Sequence, residues 1–136
     1  MPKTILLLED TPREQKRLTK ALEEAGYNVL WFENPMDCAY ELKDKDDIHI
    51  DAIVSDWNMP KCTGINFLIC LRYGKYEKAR FASKLVKDTP FVMCSAHDEQ
   101  SYIDESMRQG ADFYQQKSSM YSLQPMIDFL KATLPS

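Results

Sequence analysis

The 136-residue chain contains no apolar run long enough to span a bilayer. Its amino terminus, MPKTILLLED, holds only a four-residue aliphatic stretch before two acids, too short for the core of a signal peptide. A cytosolic protein without membrane insertion is expected. A basic excess is also missing: the net charge is -4 and the pI is near 5.2, the reverse of what a general nucleic-acid binder shows over a face or tail. Any effect on DNA is therefore expected to be indirect. No C-x-x-C spacing occurs among Cys38, Cys62, Cys70 and Cys94, and only His49 and His97 could supplement them. Reduced thiols are expected rather than a zinc set. The length suits one domain, residues 1–136, with a real hydrophobic core.

What is present alternates. Thr4 to Leu8 is an apolar run suited to a buried strand, after which Thr11, Pro12 and Glu14 form a helix start with a capping box. Leu18, Ala21, Leu22 and Ala25 recur at helical spacing until Gly26. Tyr27 to Phe32 predicts a second strand, and Asn34-Pro35 opens a helix with Cys38, Ala39 and Leu42 inward. Ala52 to Ser55 is a third strand, and Gly64 opens a third helix. Pro90 to Cys94 is a fourth strand, followed by a helix that Asp98 can cap, with Ile103 and Met107 inward, as far as Gly110. Asp112 to Gln116 is a fifth strand, and Ser122 starts a last helix with Leu123, Met126, Ile127, Leu130 and Leu134 inward. Five strand-helix repeats imply an α/β fold: a five-stranded parallel sheet with helices on both faces, because right-handed crossovers must return the chain before each new strand.

In such sheets, chemistry collects beyond the carboxyl ends of the strands. The residues found there are Glu9 and Asp10 after the first strand, Asp56 after the third, Ser95 after the fourth and Lys117 after the fifth. The second strand ends in Phe32-Glu33-Asn34 and offers nothing comparable, as expected of a sheet edge. Asp56 alone, in the stretch IVSDWNMP, reads as an ordinary turn residue; the convergence of three carboxylates, a hydroxyl and an amine does not. Crowded carboxylates call for a hard divalent cation with oxygen ligands, and Mg²⁺ fits best. Asp10 and Asp56 would bind it directly, Glu9 directly or through water, and a nearby backbone carbonyl could add a ligand. Lys117 would pair with Asp56 or with an anionic group attached to it. The set suits phosphoryl transfer, with Asp56 as nucleophile, Mg²⁺ and Lys117 stabilising charge, and the Ser95 hydroxyl donating.

These residues resemble the receiver domains of two-component response regulators, of the chemotaxis-regulator type, over essentially the whole chain. The resemblance rests on Glu9-Asp10, on Asp56-Trp57-Asn58-Met59-Pro60 with Gly64 downstream, on Ser95-Ala96, and on Gly110-Ala111, Tyr114 and Lys117. It implies the flavodoxin-like (βα)5 doubly wound fold and phosphorylation of Asp56 by a histidine kinase or histidine phosphotransfer protein. It implies that the Asn58 backbone carbonyl joins Asp10 and Asp56 on Mg²⁺. It also implies a switch in which Ser95 moves toward the phosphoryl group and the Tyr114 ring turns inward, reported by the face of the fourth helix, fifth strand and fifth helix to an unknown protein target.

Two features depart from the family pattern. Ser118 follows Lys117 where proline is usual, so the loop there is expected to be trans or strained. The stretch from Gly64 to Ser95 is several residues longer than usual and carries Arg72, Lys75, Lys78, Arg80, Lys84 and Lys87. A solvated charged face is the favoured reading, ahead of a lengthened helix or a partner-binding appendage. His97, two residues after Ser95, borders the site and would influence water access. An electron carrier of the flavodoxin type is disfavoured by the two acids of LEDTP, and a haloacid-dehalogenase-type phosphatase by Asn58 in place of a second aspartate. A degenerate receiver serving only as a binding module is disfavoured by the intact Asp56, Asp10, Ser95 and Lys117. The last helix ends near Leu134, so the effector is expected to be another molecule, reached by docking or by relay to a phosphotransfer histidine.

Overall fold

The computed structural model describes residues 2–45, 47–73, 87–118 and 120–135. Its elements run β1 (Thr4–Leu8), α1 (Pro12–Glu24), β2 (Asn28–Phe32), α2 (Pro35–Leu42), β3 (Ala52–Ser55), α3 (Gly64–Tyr73), β4 (Phe91–Ser95), α4 (Gln100–Arg108), β5 (Phe113–Gln116) and α5 (Gln124–Thr133). The five strands form one sheet in the order β2-β1-β3-β4-β5. All neighbours are parallel, with Leu8 opposite Phe32 and Ser55, and Ser95 opposite Gln116. The chain winds outward from β1 to β2, then reverses past β1 to β3. In sheets of this kind such a reversal of strand order is where the loops after the two strands diverge.

Side chains alternate across the sheet, so two cores form. Leu6, Leu8, Ile53, Phe91 and Met93 pack with Phe67, Leu68 and Leu42 on one face. Ile5, Leu7, Val54, Val92 and Cys94 pack with Leu18, Leu22, Met126 and Leu130 on the other. Strands β1, β3 and β4 are buried on both faces, which is why each reads as an uninterrupted apolar run. Gly26 ends α1 at a φ of +97°, a left-handed conformation that glycine adopts without strain, although a side chain there would meet open space.

Several local expectations give way to other contacts. The Thr11 side chain does not cap α1; its amide is taken by Glu9 Oε2 at 3.1 Å, and Glu14 turns to Arg17 at 3.5 Å. Asn34 does cap α2, accepting from the Asp37 amide at 2.9 Å. Helix α4 starts at Gln100 after Glu99, so Asp98 lies outside it. Its inward residue is Ser106, whose hydroxyl donates to Tyr102 O at 3.0 Å, while Met107 is exposed. A short side chain bonded to its own helix lets α4 lie close to the sheet, and Met107 falls out of phase with that contact. Helix α5 begins at Gln124, whose amide donates to the Ser122 hydroxyl at 2.9 Å.

Most of the long basic stretch, residues 74–86, lies outside the described residues. Arg72, expected on a solvated face, is instead mostly buried. Its guanidinium donates to Gly110 O at 3.0 Å, Lys87 O at 2.8 Å, Thr89 O at 2.7 Å and Asp112 Oδ2 at 3.0 Å. The same Asp112 oxygen accepts the Phe91 amide at 2.9 Å. Arginine's planar fork suits this clasp, which joins the end of α3 to the starts of β4 and β5. Among the described residues no helix is long and apolar enough to cross a membrane.

Candidate functional site

The rim beyond the carboxyl ends of the strands gathers the groups expected there. One oxygen from each of Glu9, Asp10 and Asp56 lies within 4.8 Å of the others. Lys117 Nζ stands 3.2 Å from Asp56 Oδ1 and donates directly to Glu9 Oε1. Glu9 has no exposed surface and Lys117 little, so this is a buried ion pair whose desolvation is offset only by close geometry. Burial first, then the nearness of Asp56, pushes the Glu9 carboxyl up to about 7, against the pull of Lys117. Burial works against the Lys117 ammonium, but Asp56 and Glu9 outweigh it and hold its pKa above the ordinary value.

Each position follows from the backbone below it. The Asp56 amide donates to Leu8 O at 2.9 Å, extending the β1–β3 pairing by one residue. Asp56 Oδ1 accepts the Trp57 amide at 2.7 Å and is the oxygen paired with the Lys117 ammonium, so Oδ2 is the carboxylate oxygen with neither contact. Glu9 Oε1 is held by Lys117 and Oε2 by the Thr11 amide, whereas the Asp10 carboxylate meets no donor among the described residues. Gly64, at the start of α3, donates its amide to Trp57 O at 2.7 Å. A Cβ there would stand 2.0 Å from Asp56 O, so glycine alone permits this approach. The donor set is the oxygen-only kind that hard divalent cations take, and the cluster could hold one.

Ser95, the last residue of β4, lies beside this group, and its hydroxyl accepts the His97 amide at 3.1 Å. Tyr114 is half-buried rather than turned to solvent: its hydroxyl donates to His97 O at 2.6 Å, and burial raises its pKa. His97 Nε2 lies 3.0 Å from Asn58 Nδ2. Its ring stacks on Tyr102 of α4 with centroids 3.9 Å apart, and Trp57 meets the Tyr102 ring edgewise at 4.8 Å. The Lys117–Ser118 peptide is not cis. Arg17 of α1 braces the loop beyond it, donating to Ser118 O at 3.1 Å and Tyr121 O at 2.9 Å.

The comparisons with known proteins bear on the family and the fold. Residues 5–127 match the model of the response regulator receiver domain. This chain belongs to that family. Receiver domains are phosphoacceptor modules of two-component signalling rather than enzymes. A curated relative, the phosphate regulon transcriptional regulatory protein PhoB of Pseudomonas aeruginosa, is 30% identical over 132 residues, covering 97% of this chain. The chain spans 52% of that relative's length. Among solved structures, the receiver domain of sensor histidine kinase PA1611 from P. aeruginosa, with a magnesium ion in its active-site cleft, superposes with a TM-score of 0.72 at 20% identity, over 98% of each chain. The response regulator TrrA of Thermotoga maritima, in complex with Mg²⁺-BeF, does so with a TM-score of 0.70 at 24% identity, over 97% of this chain and 99% of its own.

One contact at the rim has no counterpart in the sequence reading. The second strand, which places none of the clustered acids, still reaches the site: Trp31 Nε1 donates to Glu9 O at 2.7 Å. The signal that could have revealed it is an aromatic one residue before the end of an edge strand whose neighbour ends on the acidic pair.

Proposed function

We propose that the chain, residues 1–136, works as a cytoplasmic receiver unit that takes a phosphoryl group onto Asp56 from a histidine kinase or histidine phosphotransfer protein. The observation that carries this reading is the convergence of Glu9, Asp10 and Asp56, within 4.8 Å, around a buried Lys117 that touches Asp56. A carboxylate oxygen of Asp56 attacks phosphorus in line with the donor's P–N bond. That bond breaks, and its electron pair leaves with the imidazole, which takes up a proton. Lys117 offsets charge on the phosphoryl oxygens, and the Ser95 hydroxyl donates to one of them.

Asp10, Asp56 and the Asn58 backbone carbonyl would hold Mg²⁺ directly, and Glu9 through water, since both of its oxygens already accept hydrogen bonds. The ion supplies charge neutralisation to the transferring group. In this reading Ser95 shifts toward the phosphoryl group and Tyr114 responds, because both are tied to His97. The face of α4, β5 and α5 then presents a changed surface to a protein target. The net charge of -4 gives no support for direct contact with DNA.

Incubation with a small phosphodonor and Mg²⁺, followed by intact mass and peptide mapping, tests the reading. A labile adduct on Asp56 is expected, lost with chelator and in Asp56→Asn. A native chain that stays unmodified while still binding a partner would favour a binding-only module.

A further inference from the structure

We propose that Trp31 is a positioning residue for the cation site: its indole N–H holds the Glu9-Asp10 peptide so that the Asp10 carboxylate is presented to the ion. The inference rests on the reading of the acidic cluster as a divalent-cation site. Three observations carry it.

The first is the bond itself, Trp31 Nε1 to Glu9 O at 2.7 Å. A peptide group is planar, so Glu9 C=O and Asp10 N–H share one rigid unit. Fixing the carbonyl oxygen fixes the rotation of that unit and the direction in which Asp10 leaves it. The second is the state of Asp10, whose half-buried carboxylate has no protein donor among the described residues. With no side-chain tie, the part of Asp10 that the protein can hold is its backbone, and each constraint there reduces the freedom lost when an ion binds. The third is the indole's surroundings. Trp31 is 36% exposed on an edge strand and belongs to neither apolar core among the described residues. Its covered surface lies outside both cores, and its N–H is the polar group that ties it to the rim.

Glu9 is secured at every polar atom once this bond is counted. Its amide donates to Phe32 O at 3.1 Å, its carbonyl accepts from Trp31, and its two carboxylate oxygens accept from Lys117 and Thr11. Two of these four ties come from β2, which supplies none of the clustered carboxylates.

The test is Trp31→Phe, which keeps an aromatic strand former and removes the donor. Mg²⁺ titrations are followed by tryptophan emission, from Trp31 and Trp57 in the native chain and from Trp57 alone in Trp31→Phe, with Val29→Ala as a packing control on the same strand. Trp31→Phe is expected to raise the Mg²⁺ Kd about three- to tenfold, the scale of one hydrogen bond of ordinary strength, and to lower the metal-free melting temperature by no more than Val29→Ala does. Val29→Ala is expected to lower the melting temperature and leave the Kd unchanged. In the native chain the Trp31 indole proton resonance is expected to shift with Mg²⁺ at the same midpoint, a readout that needs no variant to fold. An unmoved indole resonance, an unchanged Kd in Trp31→Phe, or an equal weakening in Val29→Ala overturns the proposal and leaves the cation reading standing. A native chain that binds no Mg²⁺ overturns both.

Discussion

Lys117 and Glu9, 108 positions apart in the sequence, meet as a directly bonded ion pair beneath the candidate site, with Asp56 3.2 Å from the same ammonium. Removing the lysine leaves two carboxylates, one fully buried, without their counter-ion. Lys117→Met is expected to destabilise the metal-free protein by about 3–5 kcal/mol in urea unfolding at pH 8. The double variant Lys117→Met/Glu9→Gln should recover much of that loss. Additive losses in the double variant would show that the pair is not coupled.

Acidity should tune the site. The Glu9 carboxyl lies near 7 when folded, above its ordinary value of 4.5. A raised carboxyl pKa stabilises the fold below the unfolded value, and this contribution is lost as pH rises through about 7. Metal-free stability should therefore fall from pH 5 to pH 8, by no more than about 1.4 kcal/mol per pH unit for one proton. The stabilisation on adding Mg²⁺ should move oppositely and be larger at pH 8 than at pH 6. Thermal melts with and without Mg²⁺ at both values decide the sign.

Two glycines separate a conformational demand from a spatial one. Gly64→Ala would press a methyl onto Asp56 O, where a Cβ stands at 2.0 Å. It should cost more than about 2 kcal/mol of stability and cut the Asp56 adduct sharply. Gly26→Ala meets only open space at a φ of +97° and should cost about 1–2 kcal/mol. Its phosphorylation should be unchanged. Equal adduct yields in the two variants would argue against the close approach.

Arg72 should behave as a structural clasp rather than as a surface charge. Arg72→Lys keeps the charge but cannot serve four acceptors in a plane, and is expected to lose about 2–4 kcal/mol, the scale of charge-assisted bonds left unmade. Arg13, by contrast, is an exposed residue of α1, and Arg13→Lys should change stability by less than about 0.5 kcal/mol.

The fold was legible because strand and helix signals alternate with little ambiguity. The runs ILLL and AIVS are buried on both sides, and Asn34-Pro35 and Gly26 punctuate as expected. The acids were legible because the rule that chemistry sits at strand ends needs only element order. Contacts made by side chains across the fold were not. Nothing local says that Thr11 gives its amide to Glu9 instead of capping with its hydroxyl, or that Arg72 turns inward to three carbonyls. Met107 differs from expectation because the helical period alone cannot say which stripe of a short helix faces a sheet. Trp31 left no local signal because its contribution is a single N–H aimed at a backbone atom of another strand.

His97 lends its amide to Ser95, its carbonyl to Tyr114 and its ring to Asn58 and Tyr102. A shift of this residue would alter all four contacts at once. One residue of loop thus stands between the end of β4 and helix α4, sharing its contacts with both.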